Sequence, residues 1–227
     1  MRSLQSIILI PFLFCCIDLY AQNTEDTLNK KNTLWTISAN MYSLPYLYSH
    51  DVAPLDIQPH FFTGLVVERD FEFLSTRAGF EYFKIDIPDE KPGCCDIPLT
   101  TGYQQQSLYK IGVEKEMVLT KHIRPYLATE LASIIMHSNV TFMGGFSPQY
   151  YNIKVNTKSL GFLQTLGFQF SFNNALSLSV EHRLALTHYQ SKIDHYNFDQ
   201  NTSSTYTRTG SMLSFNPISA LMLNVHF

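Results

Sequence analysis

From Thr33 onward the chain alternates polar and apolar residues in one stretch after another, and no stretch of comparable length carries a helical stripe. A period of two is the mark of β-strands whose two faces meet different surroundings. Eight segments are predicted: Thr33–Ser43, Pro59–Arg69, Phe73–Ile87, Gln104–Val118, Arg124–His137, Thr157–Phe172, Leu176–His188 and Ser211–Phe227. The seventh is the clearest, with Leu176, Leu178, Val180, Leu184 and Leu186 on one face and Ser177, Ser179, Glu181, Arg183 and Thr187 on the other. The eighth sets Leu213, Phe215, Leu221, Leu223, Val225 and Phe227 against Ser214, Asn216, Asn224 and His226.

The connections alternate in length. Residues 44–58, 88–103, 138–156 and 189–210 are long and rich in Pro, Gly, Asn, Asp, Ser and Tyr, whereas only 70–72, 119–123 and 173–175 separate the other pairs. A soluble sandwich has no reason to gather its long loops on one side. A barrel in a bacterial outer membrane does, because short turns face the periplasm and long loops face outward. The expected fold is therefore all-β: a transmembrane, antiparallel, up-and-down barrel of eight strands over 33–227.

Carrying one phase through all strands sends Glu68, Arg77, Glu81, Lys110, Glu114, Glu116, Glu130, Glu181 and Arg183 inside. Eight strands enclose a space that side chains fill, so these groups are expected to form a polar plug and not to line an open pore. Six acids face three bases, which calls for water, for Tyr42 or Tyr126 as partners, or for raised carboxylate pKa values. The opposite face, with Leu65, Phe80, Ile111, Leu131, Phe162, Leu166 and Phe170 among others, is too apolar for a solvated sheet. Lys115, Arg69, Lys84 and Lys158 share the outward phase, each near a strand end where it can snorkel.

The start of the chain suggests the compartment. Arg2, the apolar run "IILIPFLFCCI" and the small Ala21 read as a cleavable signal peptide over 1–21, followed by a periplasmic tail over 22–32. Losing Arg2 and Asp18 together leaves the net charge at -3, which gives no footing for nucleic acid. No stretch approaches a transmembrane helix in length. Cys94 and Cys95 are adjacent and lack His or acidic companions at ligand spacing, so no metal site and no cofactor are expected.

With signal segment, eight strands, alternating loops and a terminal "LMLNVHF", the chain resembles the small outer-membrane β-barrels of Gram-negative bacteria, the OmpA and OmpX architecture. The resemblance implies an outer-membrane location, contact with its lipid, and an assembly signal at Leu223, Val225 and Phe227 read by the barrel-assembly machinery. It also implies a monomer whose external loops meet a surface ligand or a protein partner, in a structural or interactive role without catalysis. Two other roles follow from the same architecture: an accessory subunit of a secretion or uptake complex, and a lipid-A-modifying enzyme.

Candidate chemistry is sparse. The enzymes of this architecture that deacylate lipid A place His and Ser two apart on a strand; here His137 and Ser138 are adjacent and point to opposite faces. Gln164 and His182 break the apolar phase near mid-strand, and their diagonal placement suggests either a mutual bond or a contact for a membrane partner. Asp194, His195 and Asp199 cluster in "DHYNFDQ", which reads as a solvated loop rather than a metal site.

Overall fold

The alternation is realised as strands throughout. The computed structural model describes residues 35–43, 62–71, 74–87, 99–117, 119–120, 122–143 and 150–227. The predicted signal segment 1–21, the tail 22–32 and the Cys94–Cys95 pair lie outside them. Among the described residues the regular elements are β1 (Trp35–Ser43), β2 (Gly64–Asp70), β3 (Ser75–Ile87), β4 (Leu99–Glu116), β5 (Ile123–Met143), β6 (Tyr150–Ser171), β7 (Leu176–Asn197) and β8 (Thr202–His226). Each pairs antiparallel with its neighbour in sequence, and β8 pairs back onto β1, so the sheet closes in a ring. At the seam Thr36 lies opposite His226 and Ser38 opposite Asn224. The Phe227 N–H donates to the Trp35 carbonyl at 2.9 Å.

The tight turns have local chemical causes. In "NNA" the Asn173 side-chain oxygen accepts from the N–H groups of Ala175 and Leu176, both at 2.8 Å, an Asx-turn that bends β6 into β7. The Thr120 hydroxyl oxygen accepts from the Ile123 N–H at 3.0 Å in the β4–β5 turn. Between β2 and β3 the Ser75 hydroxyl donates to Asp70 at 2.7 Å.

The other end departs from expectation. Much of the sequence predicted as long loops is strand: β4 begins at Leu99, β5 runs to Met143, β6 starts at Tyr150, and β7 and β8 meet across residues 198–201 alone. The Asn197 side chain fixes that tip by accepting from the N–H groups of Asp199 and Gln200. The strands β5 to β8 have 21 to 25 residues, about twice the 9–11 that cross a bilayer. Above the level of Ala220, β8 has no described strand on its β1 side. Lys158, expected near a strand end, sits well inside β6.

A change of polarity explains why these extensions escape a simple dyad reading. In the lower half the outer face is apolar, with Leu65, Ile111 and Phe162 more than half exposed, while the inner face carries the charges. In the upper half the inner face carries no such network: Leu108, Ile134, Met136, Val140, Val155, Leu163 and Ile193 pack in one buried cluster, and neutral polar residues such as Gln104, Gln106, Ser138, Thr157, Ser159 and Ser191 are buried on the same face. The outer face there shows Lys84, Lys154, Asn156, Lys158 and Lys192 to solvent. On β3 and β7 the charged side chains thus pass from the inner face, at Arg77, Glu81, Glu181 and Arg183, to the outer face, at Lys84, Asp86 and Lys192.

One strand is also less regular than predicted. Opposite β7, Ala220 pairs with Glu181 and Asn216 with Arg183, so three residues of β8 answer His182 alone. This bulge contains Pro217, which has no N–H to give to a ladder. The Ser219 hydroxyl donates to the Glu181 carbonyl at 2.8 Å and satisfies an acceptor that the interrupted ladder leaves over.

Candidate functional site

Alternation points one side chain in two into the ring, and the inward side chains of the lower half are ionic. Arg77 on β3 is the centre, with Nη1 2.8 Å from Glu114 on β4 and Nη2 2.7 Å from Glu181 on β7. Its Nε lies 3.1 Å from Glu130 on β5 and 3.8 Å from Glu68 on β2. Arg183 on β7 donates through Nε to Glu181 at 2.7 Å and through Nη1 to Glu81 on β3 at 2.8 Å. Lys110 on β4 lies 3.2 Å from Glu81 and 3.7 Å from Glu130. Five strands on both sides of the ring are thereby joined through one network.

Of the nine residues assigned to this lumen from sequence, eight meet in the cluster. Glu116 does not: it pairs with Arg124 at 3.6 Å, nearer the β4–β5 turn, where both side chains are partly exposed. Five carboxylates thus face three cations. Neutral donors relieve part of the excess, since the Tyr126 hydroxyl donates to Glu181 at 3.0 Å and the Thr165 hydroxyl to Glu130 at 3.2 Å. Tyr126 is one of the two tyrosines that the sequence offers as partners; Thr165 carries no such signal, because a threonine on a strand has no distinguishing pattern.

Two glycines make room for the network. A Cβ on Gly167 would lie 2.0 Å from Cζ of Tyr126, so only glycine lets the ring cross β6 from β5 to Glu181 on β7. A Cβ on Gly79 would lie 2.6 Å from the Lys110 side chain. Both glycines hold inward-phase positions, and that signal is present in the sequence once a neighbouring long side chain is known.

Below the charges lies a neutral layer. His226 Nδ1 is 2.9 Å from the Thr36 hydroxyl, and its Nε2 is 2.8 Å from the Ser177 hydroxyl and 3.2 Å from the Gln169 amide nitrogen. Asn224 donates to Ser177 and Ser179 at 2.9 and 2.6 Å. With the apolar cluster above, the interior has three layers: neutral polar, ionic and apolar. Such an interior fixes the register of the ring and fills it with side chains.

The remaining candidates separate. His137 and Ser138 do point to opposite faces: the ladder runs through both without a register shift, Ser138 is buried, and His137 Nδ1 lies 2.6 Å from the Asn156 side-chain oxygen on the outside. Gln164 and His182 both lie on the outer face, but the Gln164 amide bonds to β5, accepting from the Thr129 hydroxyl and donating to the Ala128 carbonyl, each at 3.0 Å. His182 sets its ring edge-on to Phe168. Asp194, His195 and Asp199 diverge: Asp194 accepts from the Thr205 hydroxyl, His195 stacks on Tyr151, and Asp199 accepts from the Tyr150 N–H. Among the described residues no group of three or more His, Cys, Asp or Glu side chains is placed to hold a metal ion.

No known family's sequence model, no curated protein and no solved structure matches this chain.

Proposed function

We propose that the chain is an integral outer-membrane protein: an eight-stranded, OmpA/OmpX-like barrel, exported by the signal at 1–21, with a plugged lumen. Its task is structural or interactive. The observation that carries this reading is the polarity of the lower half: a ring with apolar residues outside and a buried ionic network inside has the solvent order of a membrane-embedded barrel. In water the same outer surface would be a large aggregation-prone patch.

The interior supports a role without bulk transport. Arg77 and Arg183 hold carboxylates from opposite walls and Lys110 joins neighbouring strands, so an ion would have to break several buried pairs to pass. The long β5–β6 and β7–β8 hairpins are the parts that would meet a ligand, a surface or a partner outside the cell. Assembly would be directed by Leu223, Val225 and Phe227. Fractionation and planar-bilayer recording test the reading together: the chain should remain with the membrane through a carbonate wash and give essentially no steady conductance. Recovery in the soluble fraction, or a sustained open pore, would contradict it.

A further inference from the structure

On the outer face of β6 the side chains change character abruptly. Phe170, Leu166, Phe162 and Leu160 are exposed and apolar, and the next outward positions are Lys158, Asn156 and Lys154. Register places Lys192 of β7 directly opposite Asn156, so it is the diagonal neighbour of both Lys154 and Lys158. Diagonal neighbours on one face lie about 7–8 Å apart, within joint reach of one multivalent anion. Asn156 adds an amide between the three ammonium groups, with its oxygen engaged by His137.

One carboxylate belongs to the same patch. Asp194, opposite Lys154, lies 3.5 Å from Lys192, and the hydroxyl of Thr205 holds its carboxyl below the usual aspartate range. It stays ionised and offsets one of the three positive charges. The patch keeps a net positive charge on an exposed, polar stretch of wall.

We propose that Lys154, Lys158 and Lys192 form a site for the phosphorylated headgroup of an outer-leaflet lipid whose acyl chains lie along the apolar wall of β6. The inference rests on the membrane-barrel reading. It adds a ligand class and an address. The position selects lipid over free phosphate: the lysines stand at the rim of an apolar surface, where a headgroup and its chains are satisfied together. Lysines at such a rim attract anionic lipid headgroups.

The test uses the full chain purified in mild detergent, with bis-phosphorylated lipid A and its dephosphorylated form as probes and native mass spectrometry as the readout. Wild type should retain the phosphorylated lipid. The triple variant Lys154→Gln/Lys158→Gln/Lys192→Gln should retain about tenfold less, while Lys115→Gln near the opposite end changes nothing. Folding of each variant is checked by the mobility difference between heated and unheated samples, and the single variant Lys158→Gln gives a milder version should the triple variant not fold. Equal retention by folded variants, equal binding of the dephosphorylated lipid, or displacement by inorganic phosphate at matched ionic strength would each overturn the proposal. A chain that stays soluble without detergent would instead refute the underlying membrane reading, so the two failures are distinguishable.

Discussion

Arg77 and Glu181 stand on β3 and β7, opposite each other in the ring, and their side chains meet across the lumen at 2.7 Å. This contact ties the two walls together. Arg77→Met would leave Glu114, Glu130 and Glu181 without their shared cation in a buried site, at a cost of about 3–5 kcal/mol. Adding Glu114→Gln removes one of the orphaned charges and should recover part of the loss. Urea unfolding of the barrel in lipid vesicles measures both.

Gly167 is the position where the network tolerates no side chain. Gly167→Ala would push against the Tyr126 ring and destabilise by about 1–3 kcal/mol. In a Tyr126→Leu background the same substitution should cost much less, because the crowded atoms are gone and the two effects are coupled. A double-mutant cycle in the same vesicle assay decides.

His226 closes the seam between β8 and β1, and its contact with the Gln169 amide nitrogen favours one tautomer. The Gln169 amide nitrogen can only donate, so Nε2 accepts and Nδ1 carries the proton that goes to Thr36. Nitrogen-15 NMR of the folded protein should show a neutral ring protonated at Nδ1. His226→Ala, which takes a partner from Thr36 and Gln169 and leaves Ser177 with Asn224, should destabilise by about 1–3 kcal/mol.

Much of this was legible from alternation because the lower half meets two different environments. Phase alone brings eight of the nine assigned lumen charges into one cluster, because their outward neighbours along the same strands are mostly apolar. The upper half reads as loop in the sequence but is strand: Val140, Val155 and Ile193 face inward while Lys154 and Lys192 face out, the reverse of the order below. A single rule for the apolar side therefore lost the strands where the surroundings changed. The bulge at 217–219 was hidden for another reason. Pro217 marked the spot, but Phe215 and Leu221 are an even number of residues apart, so the alternation reads straight through it.

Phe227 is paired through its backbone with Trp35 in both directions, at 2.9 and 3.5 Å. Deleting it removes these bonds, worth about 1 kcal/mol apiece, at the point where the ring closes. The yield of membrane-inserted barrel should fall more than on deleting one residue from the hairpin tip at 198–201. Quantifying the heat-modifiable fraction of each variant on gels checks this.

The most direct measurement concerns where the lipid lies. With the single native tryptophan removed by Trp35→Phe, a tryptophan is introduced by Phe162→Trp in the apolar belt or by Asn156→Trp two outward positions beyond Lys158's apolar neighbours. The barrel is then placed in vesicles of lipids brominated deep in the acyl chains. A membrane-spanning barrel gives strong quenching of the probe at 162 and weak quenching at 156. Weak quenching at both positions, with the probe at 162 open to a water-soluble quencher, would contradict it.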